Sequence, residues 1–254
     1  MNFGFVILKK TTIMNSLKNK VALITGGTKG IGYGIAQSLL NEGIHVAITS
    51  RNESSAQKAA DALNSNSVLG AKAIGIKADV RDYKSQQQAV HTVLNHFNQL
   101  DIVVANAGLG HFASIEDLTL NQWQETIDTN LTGAFYTIKA SIDALKASKG
   151  YYITISSLAG TNFFAKGSAY NASKFGLTGF TQAVMLDLRQ YGIKVTTIMP
   201  GSVSTHFNDN KPDNSDSWKI QSEDIGELVV DLLKMNPRTL PSKIEVRPTI
   251  PPSK

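Results

Sequence analysis

Short apolar runs rich in β-branched residues alternate with longer amphipathic runs along almost the whole chain, and few architectures accept that pattern. Residues 21–25, 44–49, 73–77, 102–105, 151–155, 195–199 and 244–246 read as strands. Residues 31–41, 54–63, 84–97, 120–147, 169–191 and 223–235 read as helices. The strands are close to continuously apolar, so both faces of their sheet must be covered. Strand–helix repetition of this kind predicts a parallel sheet, and right-handed crossovers make it doubly wound.

The expected fold class is α/β: a single Rossmann-type doubly wound parallel sheet of about seven strands with helices on both faces. The 254 residues suit one such domain, and no linker or internal repeat divides them. Residues 17–254 read as one dinucleotide-binding catalytic domain, and residues 1–16 as an N-terminal extension. That extension has a short apolar patch without a basic stretch before it or a cleavage site after it, so it makes a poor signal peptide, and Met14 restarts the chain beside the fold. No apolar run approaches ~18 residues, so no membrane span is expected. The expected location is the cytoplasm. The net charge of +5 comes from scattered Lys and Arg, which argues against nucleic acid as a partner. The chain has no Cys, which excludes disulfides and thiol nucleophiles, and its five His show no metal-ligand spacing, so no metal is expected. The polar stretch 208–216 is the best candidate for a mobile loop.

Two constellations carry chemistry. The first is Thr25-Gly26-Gly27-Thr28-Lys29-Gly30-Ile31-Gly32, set between a strand and a helix. Gly26 allows a tight turn, while Gly30 and Gly32 let backbone approach a pyrophosphate and the helix pack on the sheet. Amides from Ile31 onward would face the phosphates. The second strand ends Ser50-Arg51, without the acid that would hold free ribose hydroxyls. The guanidinium of Arg51 and the ammonium of Lys29 would instead attract a 2′-phosphate, favouring NADP over NAD. Arg51 as a merely solvated side chain is the alternative.

The second constellation is Tyr170-Asn171-Ala172-Ser173-Lys174, which puts a phenol and an ammonium on one helix face. Ser157 lies thirteen residues earlier, just past an apolar strand. In this order the residues describe a proton-transfer site beside a nucleotide site.

With these motifs the chain resembles the short-chain dehydrogenase/reductase family, most closely 3-oxoacyl carrier-protein reductases and related carbonyl reductases. The likeness runs from about Lys20 to Pro248. It rests on the glycine turn, Asp79-Val80, Asn106-Ala107-Gly108, Asn130, Ser157, Tyr170 with Lys174, and Pro200-Gly201 followed by Val203 and Thr205. The resemblance implies that Asp79 contacts adenine, that Asn106 borders the cofactor, and that the stretch from Pro200 to Thr205 holds the nicotinamide end. It also implies that Lys174 grips the nicotinamide ribose, that Asn130 holds a water in a proton relay, and that the chain forms a homodimer or homotetramer. One departure is the end of the chain, which is proline-stiffened where family reductases often have a Gly-rich tail.

The expected chemistry is reversible hydride transfer between NADPH and a ketone or secondary alcohol. A free phenol titrates near ~10, and the positive charge of Lys174 is expected to lower that value. Tyr170 is then the general acid and base, and Ser157 hydrogen-bonds the reacting oxygen. His111, Phe112, Phe163, Phe164, His206 and Phe207 suggest a partly aromatic substrate pocket, with His111, Phe112, Phe164 and Phe207 as its walls. An NAD-dependent alcohol, sugar or steroid dehydrogenase is the alternative, and a non-catalytic NADP-sensing protein a third reading.

Overall fold

The computed structural model describes residues 17–251. The extension 1–16 and the last three residues lie outside the described residues. Seven strands form one sheet in the order β3-β2-β1-β4-β5-β6-β7. They are β1 (Val21–Ile24), β2 (His45–Ser50), β3 (Ala73–Lys77), β4 (Ile102–Ala105), β5 (Tyr151–Ile155), β6 (Lys194–Pro200) and β7 (Lys243–Val246). Every neighbouring pair is parallel. Among the described residues the α-helices are α1 (Gly30–Asn41), α2 (Glu53–Ser65), α3 (Tyr83–Phe97), α4 (Leu120–Ile127), α5 (Gly133–Ser148), α6 (Ser168–Leu188) and α7 (Ser222–Lys234).

The strand period of two assigns the two faces. Ala22 and Ile24 of β1 join a core with Ile35 and Leu39 of α1, Leu63 of α2 and Val229 of α7. Val21 and Leu23 point the other way, toward Val93 of α3, Leu145 of α5 and Leu177 of α6. Chain order reverses between β1 and β4, and the crevice outside the carboxyl ends of those strands is where such sheets bind ligands.

One expectation needs revision, and a second gains detail. The helix expected over 120–147 is two helices, α4 and α5, joined by a π-helical turn at Asp128–Thr132. The wider turn carries Asn130 into the interior, where its amide exchanges two hydrogen bonds with the backbone of Leu109. The stretch 208–216 is organised by two 3-10 turns, Phe207–Asp209 and Asn214–Trp218. Asp216 anchors the second by accepting from Ser204 and pairing with Lys219.

Candidate functional site

One large cleft, about 1210 Å³, runs along the carboxyl edge of the sheet. At one end lies the glycine turn. Gly26 and Gly30 have φ of 65° and 56°, a left-handed conformation that a Cβ disfavours. A Cβ on Gly32 would stand 2.5 Å from Asn106 Nδ2, and that amide donates to the carbonyls of Thr25 and Gly26. Asn106 therefore holds the turn closed from β4. Lys29 stands at the N-cap of α1 without a side-chain cap, and the first turn contains no acid. Gly30 and Ile31 line the cleft, so the unpaired amides and positive helix end meet whatever occupies it. Gly26, Thr28, Lys29, Ser50, Arg51, Asp79, Val80, Ala107 and Gly108 line the same stretch. These features fit a dinucleotide: an open anion cradle followed by a wall of small residues.

The ends of β2 and β3 form a charged rim. The Arg51 side chain is 66% exposed, and Nη1 lies 3.9 Å from Glu125 Oε1 on α4. The Asp79 carboxylate receives Arg81 Nη2 at 2.7 Å and Nε at 3.1 and 3.2 Å. Those bonds hold Asp79 below the ordinary carboxylate range, against the opposing effect of burial. Asp79 does not cap α3, a role taken by Asp82. Arg81 also donates Nη1 to Glu125 at 3.3 Å. Sequence reasoning passed over Arg81 and Glu125. Arg81 directly follows Asp79-Val80, a usable signal, whereas Glu125 looks like any exposed helix position.

At the other end Ser157, Tyr170 and Lys174 converge. Ser157 leaves β5 and its hydroxyl accepts the amide of Ala159. Tyr170 and Lys174 share a face of α6. Lys174 is buried, and its Nζ donates to the carbonyl of Ile155 at 2.9 Å. Burial lowers its pKa to about 8, because nothing else nearby compensates the charge. The expected lowering of the Tyr170 pKa is not what the protein alone produces. Burial pushes that phenol up, and the Ser157 hydroxyl pulls it only partly back. The ammonium of Lys174 is tied to Ile155 and lies 5.7 Å from the phenol's ring centroid. Asn130 Nδ2 donates to Ser173 Oγ, which donates to the carbonyl of Tyr170. Ser173 thus links Asn130 to the helix turn that carries the phenol.

The floor beyond the phenol is aromatic. Phe112 lies 5.4 Å from Tyr170, 5.9 Å from Phe164 and 6.4 Å from Phe207, centroid to centroid. Phe207 is also 5.7 Å from Tyr170. A Cβ on Gly110 would stand 2.8 Å from the Phe112 ring and 3.0 Å from that of Phe207, so the glycine admits both. Phe163 is 86% exposed and takes no part. His111 lines the cleft but engages Glu125 through Nε2 at 3.0 Å, away from the aromatic group. Pro200, Gly201, Val203, Thr205 and His206 line the cleft beneath, joined by Trp218 and by Arg247, Pro248 and Pro251 of the chain's end. The expected proline-stiffened tail is therefore a wall of the cleft.

A domain that wraps a dinucleotide cradle and a Ser-Tyr-Lys group around one cleft is an oxidoreductase of the short-chain type. A profile of the short chain dehydrogenase family matches residues 20–216, and the chain belongs to that family, which acts on alcohol and carbonyl groups. It is 38% identical over 196 residues to the trans-4-hydroxycyclohexanecarboxylate dehydrogenase of Sinomonas cyclohexanicum, covering 76% of each chain. An alcohol dehydrogenase from the archaeon Thermococcus sibiricus, complexed with 5-hydroxy-NADP, superposes with a TM-score of 0.85 at 28% identity over 92% of this chain and 99% of that one. A 3-ketoacyl-ACP reductase from Sinorhizobium meliloti 1021 superposes with a TM-score of 0.81 at 32% identity, over 89% and 97%. Among the described residues no helix is long and apolar enough to cross a membrane.

Proposed function

We propose that the chain is an NADPH-dependent carbonyl reductase that interconverts a ketone and a secondary alcohol, with Tyr170 as general acid and base. The observation that carries this reading is the convergence of Ser157, Tyr170 and Lys174 at one end of a cleft whose other end is an uncapped helix N-terminus. Bound there, the nicotinamide cofactor supplies the hydride. Pro200, Gly201, Val203 and Thr205 would support its nicotinamide end, and the α1 amides its phosphates. Lys29, Ser50 and Arg51 would take the 2′-phosphate, and Asp79 and Val80 would border the adenine.

Tyr170 gives its proton to the substrate oxygen while Ser157 donates a hydrogen bond to the same atom. A phenol raised by burial is a poor acid, so the step depends on Lys174 to favour the phenolate as it forms. With its pKa near 8, Lys174 is charged in neutral solution and close to exchanging its own proton. Asn130 completes the path. A Cβ on Gly108 would stand 3.3 Å from Asn130 Oδ1 and 3.6 Å from Lys174 Nζ, so glycine keeps open a space that both groups reach. A water there would pass protons to Lys174.

Phe112, Phe164 and Phe207 favour an apolar group beside the carbonyl. The relative from Sinomonas is named for a ring compound, so cyclic ketones head the substrates to test. An NAD-dependent dehydrogenase of the same chemistry is the second reading, favoured by Glu125 beside Arg51. The requirement for a nicotinamide cofactor is the ground for placing the chain in the cytoplasm. Exposed Phe135, Phe175 and Leu186 on α5 and α6 are the ground for a homodimer or homotetramer.

The deciding experiment follows NADPH oxidation across cyclic ketones, open-chain ketones, diketones and acyl thioesters. Tyr170→Phe is expected to lose at least ~10²-fold in turnover while keeping NADPH binding, the scale of general acid–base loss. Near-normal turnover by that variant removes Tyr170 from the mechanism. Tight NADPH binding with no substrate turned over favours a sensor.

A further inference from the structure

We infer that Glu125 sets how strongly the chain discriminates NADPH from NADH, by placing a carboxylate beside Arg51, the guanidinium that would serve the 2′-phosphate. The inference rests on the cofactor reading above and concerns a residue of α4 that lies behind three residues lining the cleft, Arg51, Arg81 and His111.

Glu125 meets three partners from three different loops. Arg51 follows β2, Arg81 follows β3 and His111 follows β4, and their nitrogens lie 3.9, 3.3 and 3.0 Å from its two oxygens. The other ion pairs at this end are local: Arg81 takes Asp79, two residues away. The two guanidinium charges are therefore matched by two carboxylates, Asp79 and Glu125. Asp79 is tightly forked. Glu125 holds Arg81 by one bond and stands too far from Arg51 for a hydrogen bond. Arg51 is accordingly the more loosely held guanidinium, mostly exposed and able to turn toward an incoming anion.

A 2′-phosphate that reaches Arg51 arrives beside the Glu125 carboxylate. It gains a charge-assisted bond and meets a like charge across a rim open to solvent. NADH carries no such phosphate and meets neither effect. Glu125 thus lowers NADPH affinity selectively, and neutralising it would make the rim one charge more positive. The same carboxylate holds His111, the neighbour of Phe112. Glutamine keeps an acceptor oxygen for Arg81 and turns an amide donor to His111, whose neutral ring can accept it, so the loop keeps its anchor while the charge is removed.

The test is titration of NADPH and NADH into wild type, Glu125→Gln and Glu125→Asp, at low and at moderate salt. Glu125→Gln is expected to bind NADPH about three- to tenfold more tightly at low salt, as expected for one partly screened charge. The gain should shrink with added salt, and the Kd for NADH should stay within about twofold. Glu125→Asp keeps the charge and is expected to stay near the wild-type ratio, separating charge from shape. An unchanged or weakened NADPH Kd in Glu125→Gln overturns the inference, the weakened case showing that Glu125 positions the arginines for the phosphate. Equal shifts for both cofactors overturn it as well. A wild type that binds NADH more tightly than NADPH overturns the cofactor reading itself, a distinct result visible before any variant is made.

Discussion

Replacing Lys174 with methionine should make the protein more stable while abolishing its chemistry. The ammonium is buried and its pKa falls from 10.5 to about 8. A shift of roughly 2.5 units corresponds to about 3 kcal/mol at ~1.4 kcal/mol per unit. The sign follows from linkage. Folding prefers the neutral amine, so the penalty is absent above the unfolded value near 10.5 and grows as the pH falls toward 8. It is fully present at pH 7. Methionine has similar length and no charge to desolvate, so that penalty disappears. Against it stands the lost charge-assisted hydrogen bond to the Ile155 carbonyl, about 2 kcal/mol. The net expectation is a gain of about 1 kcal/mol at pH 7. Urea unfolding of both proteins at equal concentration, at pH 7, 8 and 9.5, measures it. The gap should narrow as the pH rises, because the wild type recovers. A variant less stable than wild type at pH 7, or a gap that does not move with pH, would refute the reasoning. Carbonyl reduction should fall by orders of magnitude in the same variant.

Two further outcomes follow from the rim and the helices. Arg51→Ala should weaken NADPH binding about ten- to a hundredfold, the worth of one charge-assisted bond, and leave NADH nearly unchanged; Ser50→Asp should go further by adding repulsion, and kcat/KM with each cofactor reads both. Light scattering at micromolar concentration should give at least twice the 27.4 kDa of one chain, because exposed Phe135, Phe175 and Leu186 need a partner surface, and a monomer mass would refute the assembly.

The parallel sheet was legible because its strands carry apolar residues on both faces, and Val21 and Leu23 do lie against one helical layer while Ala22 and Ile24 lie against the other. The glycine turn and the Ser157, Tyr170 and Lys174 group were legible because each depends on spacing along one short segment. Groups that depend on distant segments were not. Glu125 gains meaning only beside Arg51, Arg81 and His111, which three separate loops deliver. The π turn at Asp128–Thr132 was invisible because periodicity continues on both sides of it. The direction of the Tyr170 shift was misjudged because charge is written in the sequence and desolvation is not.

The π turn also limits how the chain can change length. It holds one residue more than an α-helical turn would, and it absorbs that surplus without turning α5. Deleting one residue within α4, or a second from the turn, would rotate α5 by about 100°. Ala134, Ile138 and Leu145 would then leave the sheet, and exposed Phe135 would face it. The segment just before α4, residues 113–118, is exposed or only partly buried and carries no such phase. Insertions and deletions should therefore accumulate there, upstream of Thr119. Apart from the one surplus residue of the π turn, the stretch from Leu120 to Ser148 should keep its length across lineages even where its residues turn over.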